Sequence, residues 1–178
     1  MDVFTQKEVL KTFGVLIDTR EQDTPKANKR YTAFGCPFRR QVLSYGDYTY
    51  TATLPDGSEL NTGEKAVFPR CVVERKMSLD ELAQCFTRDR ERFVREFSRA
   101  KANKAKIFLI VENATWEAVL NHRYKSRFAP NAFLASIMAW LSRYDMTLLF
   151  CKEDSSGRLI KEILFRDLKE RLERGEYG

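Results

Sequence analysis

Val72-Val73-Glu74-Arg75-Lys76-Met77-Ser78-Leu79-Asp80 is the stretch where a hydrophobic run ends in an ordered set of charges. If the run forms a strand, alternate side chains point to opposite faces, so Glu74 and Lys76 share one face. Ser78 and Glu81 have the spacing of a capping box, which predicts that a helix begins here. The sequence therefore places a carboxylate and an ammonium group side by side where a strand gives way to a helix.

The composition is typical of a globular chain with a basic surface. The 178 residues include 43% hydrophobic and 31% charged side chains, which suits one domain with a substantial core. The net charge of +6 would attract a polyanion, although charge alone does not identify nucleic acid as the partner. The four cysteines include no Cys-x-x-Cys pair and only one histidine accompanies them, so we predict reduced thiols rather than a zinc site.

The sequence shows no targeting or membrane segment. Residues 1–7 contain no basic segment followed by an apolar run, which argues against a secretory signal. No window approaches the roughly 18 uninterrupted apolar residues that a transmembrane helix needs. We therefore expect a cytoplasmic protein with no membrane partner.

Apolar and β-branched runs predict a set of strands. Continuous apolar runs are typical of strands buried on both faces, and the aromatic segment around Gly46 predicts two strands or one bent strand. A three-stranded meander would bring Asp47 and Glu74 onto neighbouring strands. The predicted strands cover residues 13–18, 39–53, 66–68, 71–74, 106–112 and 146–151.

Apolar residues spaced by three and four positions predict the helices. The apolar helix at 130–144 could belong to the core or form an oligomer interface, so a homodimer is one expectation. The order of strands and helices predicts an α/β fold in one domain, a mixed sheet flanked by helices. The predicted helices cover residues 78–100, 115–123, 130–144 and 155–174.

The acidic residues at the strand ends indicate a metal-dependent phosphodiesterase. Asp47 and Glu74 would supply the carboxylate oxygens that magnesium prefers, with open positions left for water. Lys76 could orient the nucleophile or stabilise developing charge. Asp18 and Glu21 follow the first predicted strand and could add further carboxylates.

Two motifs resemble a known family. Gly46-Asp47 followed by Glu74-Arg75-Lys76-x-x-x-Asp80 is similar to the signature of the XPF-type structure-specific DNA endonucleases, and Asp18-Thr19-Arg20-Glu21 resembles that family's early acidic motif. The resemblance covers residues 13–112 at motif level and extends more loosely to residue 151. It implies a restriction-endonuclease-like fold, dependence on Mg or Mn, and branched, flapped or forked DNA as the substrate.

The resemblance also implies roles for individual residues. Asp47 and Glu74 become metal ligands, helped by the backbone carbonyl of Arg75, and Lys76 becomes the catalytic lysine. The supporting active-site residues become Asp18, Glu21, Arg75 and Asp80. The implied function is a metal-dependent DNA endonuclease (hydrolase) in DNA repair, recombination or phage DNA processing.

Several alternatives stay open at this point. Cellular members of the family commonly add a tandem helix-hairpin-helix domain or a helicase, whereas we expect only a nuclease domain over residues 1–178. Plain duplex or single-stranded DNA is therefore an alternative substrate. A catalytically silent DNA-binding or scaffold partner is the alternative function, although the retained acidic residues favour an active enzyme. Arg88 and Arg90 could form a solvated helix face or contact phosphates.

Overall fold

The computed structural model describes residues 1–177 as a mixed six-stranded sheet between two layers of helices. The predicted α/β fold is therefore confirmed. The strands are β1 (Gly14–Asp18), β2 (Phe38–Gln41), β3 (Tyr48–Thr51), β4 (Cys71–Lys76), β5 (Lys106–Glu112) and β6 (Met146–Cys151). The helices are α1 (Val3–Lys11), α2 (Pro25–Thr32), α3 (Leu79–Phe86), α4 (Arg90–Ala102), α5 (Trp116–Leu120), α6 (Pro130–Tyr144) and α7 (Glu153–Glu173).

The direction of β3 determines where the strand ends meet. The sheet order is β2-β1-β3-β4-β5-β6, and β3 is antiparallel to both neighbours whereas the other pairs are parallel. Tyr48, the first residue of β3, lies opposite Ile17 near the end of β1 and opposite Val73 of β4. The ends of β1 and β4 and the start of β3 therefore share one edge of the sheet, as predicted for Asp47 and Glu74.

Each face of the sheet carries its own apolar core. Helices α3 to α6 cover one face, where Phe86 and Phe97 pack against Trp140 with ring centroids 4.1 and 5.3 Å apart. Helices α1, α2 and α7 cover the other face. Burying each large side chain stabilises the fold by about 1.5–3 kcal/mol. The sheet edge where β1, β3 and β4 meet is therefore supported by a packed helical layer on each face.

Helix α6 uses most of its apolar surface within the chain. Phe133, Ile137, Trp140 and Tyr144 are buried against the sheet and its neighbours, whereas Met138 is 45% exposed. Most of the apolar side chains that suggest an oligomer interface therefore pack in the core of the chain itself. The homodimer stays a prediction.

The single helix predicted from residue 78 to 100 is two helices. Its start agrees with the prediction that Ser78 is the N-cap, because the Ser78 hydroxyl accepts from the Glu81 N–H at 3.3 Å. The Glu81 carboxylate reaches back to the N–H of Met77, one residue before the cap, at 2.7 Å. Helix α3 ends at Phe86, because the next residue, Thr87, has a φ of −115° and a ψ of −96° that are not helical. The apolar spacing continues across the break, which is why periodicity alone does not detect it.

Two helices are absent from the sequence prediction. Helix α1 is capped by Asp2, and α2 is capped by Thr24 and has Pro25 at its first turn. Both are short and polar, so a search for apolar stripes passes over them, although their caps are recognisable start signals.

Two further elements are shorter than predicted. The expected strand at 66–68 is reduced to an isolated bridge between Leu43 and Val67. Helix α5 ends at Leu120, because His122 adopts a left-handed φ of 52° that an α-helix cannot accommodate. Within residues 1–177, no helix is long and apolar enough to cross a membrane.

Gly157 lets α7 approach α2 closely. A Cβ atom at this position would lie 2.4 Å from the Arg30 carbonyl oxygen and 2.9 Å from the Ala33 Cβ. The Arg30 guanidinium in turn pairs with Glu112 at 3.4 Å, beneath the edge where the strands meet. The helix crossing therefore helps to set the position of a buried arginine close to that edge.

We predict that Gly157→Ala destabilises the protein by about 1–3 kcal/mol, because the added methyl group overlaps the α2 backbone. The destabilisation is expected even though alanine is intrinsically more favourable than glycine in a helix by about 1 kcal/mol. Thermal and urea unfolding measure the change. Gly63→Ala is the matched control, since a Cβ there meets nothing within 4 Å and no left-handed φ is required. Equal stability of both variants would contradict the tight crossing.

Candidate active site

A cavity of about 300 Å³ opens at the edge where β1, β3 and β4 meet. Its lining is rich in charge, with five acidic and four basic side chains. Five of the residues predicted from the sequence are among those that line it. The lining residues are Arg20, Glu21, Gln22, Asp47, Glu74, Arg75, Lys76, Glu81, Arg92, Phe93 and Glu96.

Asp47 is held in place by backbone groups of two strands. Its N–H donates to the Val73 carbonyl at 2.9 Å, and its own carbonyl accepts from the Asp18 N–H at 2.8 Å. Its carboxylate accepts from the Arg75 N–H at 2.7 Å. The carboxylate is therefore fixed against the end of β4 and does not depend on a mobile loop.

Glu74 and Lys76 lie on one face of β4, as alternation predicts. The Lys76 Nζ donates to the Glu74 Oε1 at 2.5 Å, and both side chains are buried. The ammonium group also lies 4.4 Å from the centroid of the Phe93 ring, which attracts a cation. Burial by itself lowers the pKa of Lys76, but Glu74 and Asp47 outweigh it and raise that pKa. Lys76 is therefore charged at neutral pH.

The two carboxylates suit a divalent cation. Burial, followed by the nearby Glu74 carboxylate, raises the pKa of Asp47 well above its ordinary value. Mutual repulsion of this kind is relieved when a cation binds between the two groups. In residues 1–177 no three His, Cys, Asp or Glu side chains converge on one metal position. Two carboxylates supply oxygen ligands and leave coordination positions open, so Asp47 and Glu74 suit a hard cation that keeps several waters, such as magnesium or manganese.

Arg75 connects the cavity to a buried ionic network on the other face of β4. Its guanidinium pairs with Glu112 at 3.2 Å, and Glu112 also pairs with Arg30 at 3.4 Å. Glu21 accepts a hydrogen bond from the Tyr48 hydroxyl at 2.9 Å and lies 3.9 Å from Arg75. These contacts brace the ends of the strands from below.

The structure does not bring Asp18 and Asp80 into the cavity. The buried Asp18 carboxylate accepts from the Arg20 N–H at 2.8 Å, the Arg20 Nε at 2.6 Å and the Leu43 N–H at 2.8 Å. Asp80 accepts instead from the backbone N–H groups of Lys125 and Ser126 at 2.8 and 2.7 Å. Asp18 therefore orients Arg20, and Asp80 contacts a loop that lies 45 residues later in the sequence.

Glu96 is a cavity residue that the sequence analysis did not identify. Its side chain is almost fully buried and accepts from the Gly46 N–H at 3.2 Å and from Arg20 at 3.4 Å. Burial and then the Glu74 carboxylate raise its pKa. A signal was available, because Glu96 lies between Phe93 and Phe97 on the apolar stripe of α4.

Glu96 therefore supports the turn that presents Asp47. Gly46 has a φ of +75°, and a Cβ atom there would lie 2.7 Å from the Val72 Cβ, so this turn requires glycine. The Glu96 carboxylate, which belongs to α4, accepts a hydrogen bond from the N–H of that glycine.

The arginines whose roles were open do not reach the cavity. Arg88 contacts Gln84 and Asp89 on the surface, and neither Arg88 nor Arg90 is among the lining residues. Arg92 lines the cavity instead, with its guanidinium 4.4 Å from the Phe93 ring centroid. The break between α3 and α4 determines which arginine of this run faces inward.

Comparison with known proteins supports this fold. No curated protein matches the sequence. Among solved structures, XPF from Aeropyrum pernix is similar with a TM-score of 0.59 and 20% identity over 92% of this chain and 69% of that chain. XPF from Aeropyrum pernix in complex with DNA is similar with a TM-score of 0.58 and 22% identity, over 88% of this chain and 65% of the other. The chain spans about two thirds of these proteins, and the predicted restriction-endonuclease-like fold is confirmed.

The family model of the ERCC4 domain matches residues 17–163, which include every residue that lines the cavity. This range also contains the strand ends and both helices of the α3–α4 pair. The chain therefore belongs to the ERCC4 domain family, in agreement with the resemblance to XPF-type proteins that its motifs indicate.

Proposed function

We propose that the chain is a magnesium- or manganese-dependent DNA endonuclease. The observation that carries this proposal is the convergence of Asp47, Glu74 and Lys76 on one cavity. The buried Glu74 carboxylate pairs with Lys76, and the partly exposed Asp47 carboxylate is bonded to the end of the same strand. Membership in the ERCC4 domain family supports it. A further support is that one structure of similar fold is an XPF protein in complex with DNA.

The chain's own residues divide the work between them. Asp47 and Glu74 would hold the cation, together with the backbone carbonyl of Arg75. A bound cation supplies Lewis acidity toward the phosphate and lowers the pKa of a coordinated water. Lys76 is kept charged and oriented by Glu74 and the Phe93 ring, so it can position the nucleophile or stabilise charge that develops on the phosphate.

Positive charge on the cavity wall would hold the substrate. Arg20 and Arg92 line the cavity beside the carboxylates, and Asp18 fixes the direction of Arg20. Phosphate groups of a DNA strand are the natural partners of such guanidinium groups. Arg75 is held by Glu112 and serves mainly to brace β4.

We propose branched, flapped or forked DNA as the substrate, in keeping with the family resemblance. A panel of duplex, single-stranded, flap, fork and four-way DNA, each with and without Mg²⁺ or Mn²⁺, tests this choice. Preferential cutting near a branch is expected. Equal cutting of plain duplex would overturn the structural preference but would leave the nuclease assignment intact.

We predict that Asp47→Asn and Glu74→Gln each lower the cleavage rate by roughly a hundredfold or more, because each removes a charged ligand from the pair. Both substitutions preserve side-chain shape, so circular dichroism and thermal unfolding should show an intact fold. Single-turnover cleavage of the preferred DNA in Mg²⁺ is the measurement. Glu91→Gln, on the exposed face of α4, is the control and should cut normally.

Wild-type cleavage by both variants would remove these carboxylates from the chemistry. If the unmodified chain binds DNA but cleaves none of the panel with either metal, it is the catalytically silent partner instead.

We predict that Glu96→Ala lowers cleavage by about 10- to 100-fold, as expected for a residue that supports a metal ligand. Alanine leaves the buried Gly46 N–H without an acceptor and releases Arg20. Glu96→Gln should lose less activity, because its amide oxygen can still accept from Gly46.

Single-turnover cleavage rates of Glu96→Ala and Glu96→Gln test this order of activity. Glu91→Ala, a substitution on the exposed face of the same helix, is the control. Equal activity of Glu96→Ala and Glu91→Ala would show that the turn needs no support from α4.

A further inference from the structure

One segment of the chain combines positive charge with a complete lack of acids. Residues 118–144 contain no Asp or Glu, although the whole chain has 25. Within this segment, the loop of residues 121–128, here called the basic loop, carries Arg123, Lys125, Arg127 and the only histidine. The loop contains no Asp or Glu to offset these three cations, so it is strongly positive.

The basic loop is held firmly although it contains no regular structure. Asp80 accepts from two successive N–H groups of the loop, those of Lys125 and Ser126, with the same oxygen. The Tyr124 hydroxyl donates to the Phe128 carbonyl at 2.7 Å, closing the loop on itself. Both aromatic rings pack on the core side of α6. The backbone of the loop is therefore fixed before any ligand arrives.

The cations of the basic loop point into solvent. Arg123, Lys125 and Arg127 are all exposed, and among residues 1–177 no carboxylate lies within 4 Å of their charged groups. On the opposite helical layer exposed cations are commonly paired, as Lys26 is with Glu153 and Lys29 with Asp154. The charge of the basic loop is thus available to an external anion.

Asp80 ties this charge to the candidate active site. It is the second residue of α3, which begins directly after the strand that carries Glu74 and Lys76. The next residue, Glu81, lines the cavity. The residue that holds the basic loop is therefore the immediate neighbour, on α3, of a residue that lines the cavity.

We propose that the basic loop binds the phosphate backbone of DNA beside the cleavage site, and that Asp80 is the residue that positions it. This inference rests on the proposed function in naming DNA as the polyanion. Asp80 then acts through the loop and does not touch the reacting atoms. A pre-ordered row of cations binds a backbone with little further loss of conformational entropy.

Fluorescence anisotropy with a labelled forked DNA, in EDTA and over a range of salt concentrations, tests the surface without any cleavage. Each phosphate contact contributes a slope of about −0.9 to log K against log salt. The variant Arg123→Ala/Lys125→Ala/Arg127→Ala should reduce that slope by roughly 2–3 and weaken binding roughly tenfold or more at about 0.1 M salt. The control is Lys7→Ala/Lys11→Ala/Arg174→Ala, exposed cations on α1 and at the end of α7.

The control removes the same net charge from the other helical layer, so a small effect is expected from it. Equal slopes for the two triple variants would overturn the proposed surface while leaving the nuclease assignment untouched. If the unmodified chain binds no DNA at all, the proposed function fails together with this inference.

Asp80 is tested by a pair of variants. Asp80→Ala removes the acceptor of both loop N–H groups and should reproduce the weaker binding and smaller salt slope of the loop variant. Asp80→Asn keeps an oxygen in the position that accepts both bonds, so it should restore affinity. In cleavage assays Asp80→Ala should raise KM more than it lowers kcat.

A direct catalytic role for the Asp80 carboxylate predicts the reverse pattern, with kcat lost in both variants and DNA affinity kept. That result would contradict the positioning role.

Discussion

The antiparallel pairing of β3 with β4 is the constraint on which the site depends. It places the first residue of β3 beside the end of β4, so Asp47 binds the Val73 carbonyl through its N–H and the Arg75 N–H through its carboxylate. A shift of one residue in this register would turn Glu74 and Lys76 to the other face. The left-handed Gly46 and the buried Glu96 hold the turn that enters β3. Backbone hydrogen bonds therefore set the relative position of the carboxylates.

Charge burial at this edge is balanced by a different partner on each face of β4. On one face Glu74 pairs with Lys76 over the Phe93 ring, and on the other Arg75 pairs with Glu112. Ions buried in this way cost several kcal/mol each unless they are paired and hydrogen-bonded, so the arrangement adds little stability for its own sake. Its value lies in keeping charged groups oriented in a cavity that is partly shielded from water, where electrostatic effects on a phosphate are strong.

Strand ends and caps were predictable from the sequence because they follow local rules. Alternation put Glu74 and Lys76 on one face, and the Ser78 cap agrees with the structure. Glu96 was missed because an acid on a helix is normally expected to face solvent, although its spacing from Phe93 and Phe97 places it on the apolar stripe of α4. The contact of Asp80 with a loop 45 residues later could not be predicted, since no periodicity reports a pairing over that distance. The family motif located Asp80 near the site but did not show which way its carboxylate points.

Direct observation of a cation between the two carboxylates is the measurement that bears most closely on this account. Crystals grown or soaked with Mn²⁺ and measured at the manganese absorption edge would locate the ion by its anomalous signal, with no need for a cleavable substrate. The account predicts one strong peak bound by both Asp47 and Glu74, and its loss in Glu74→Gln. No peak at this position, in crystals of a protein that cleaves DNA with manganese, would contradict it.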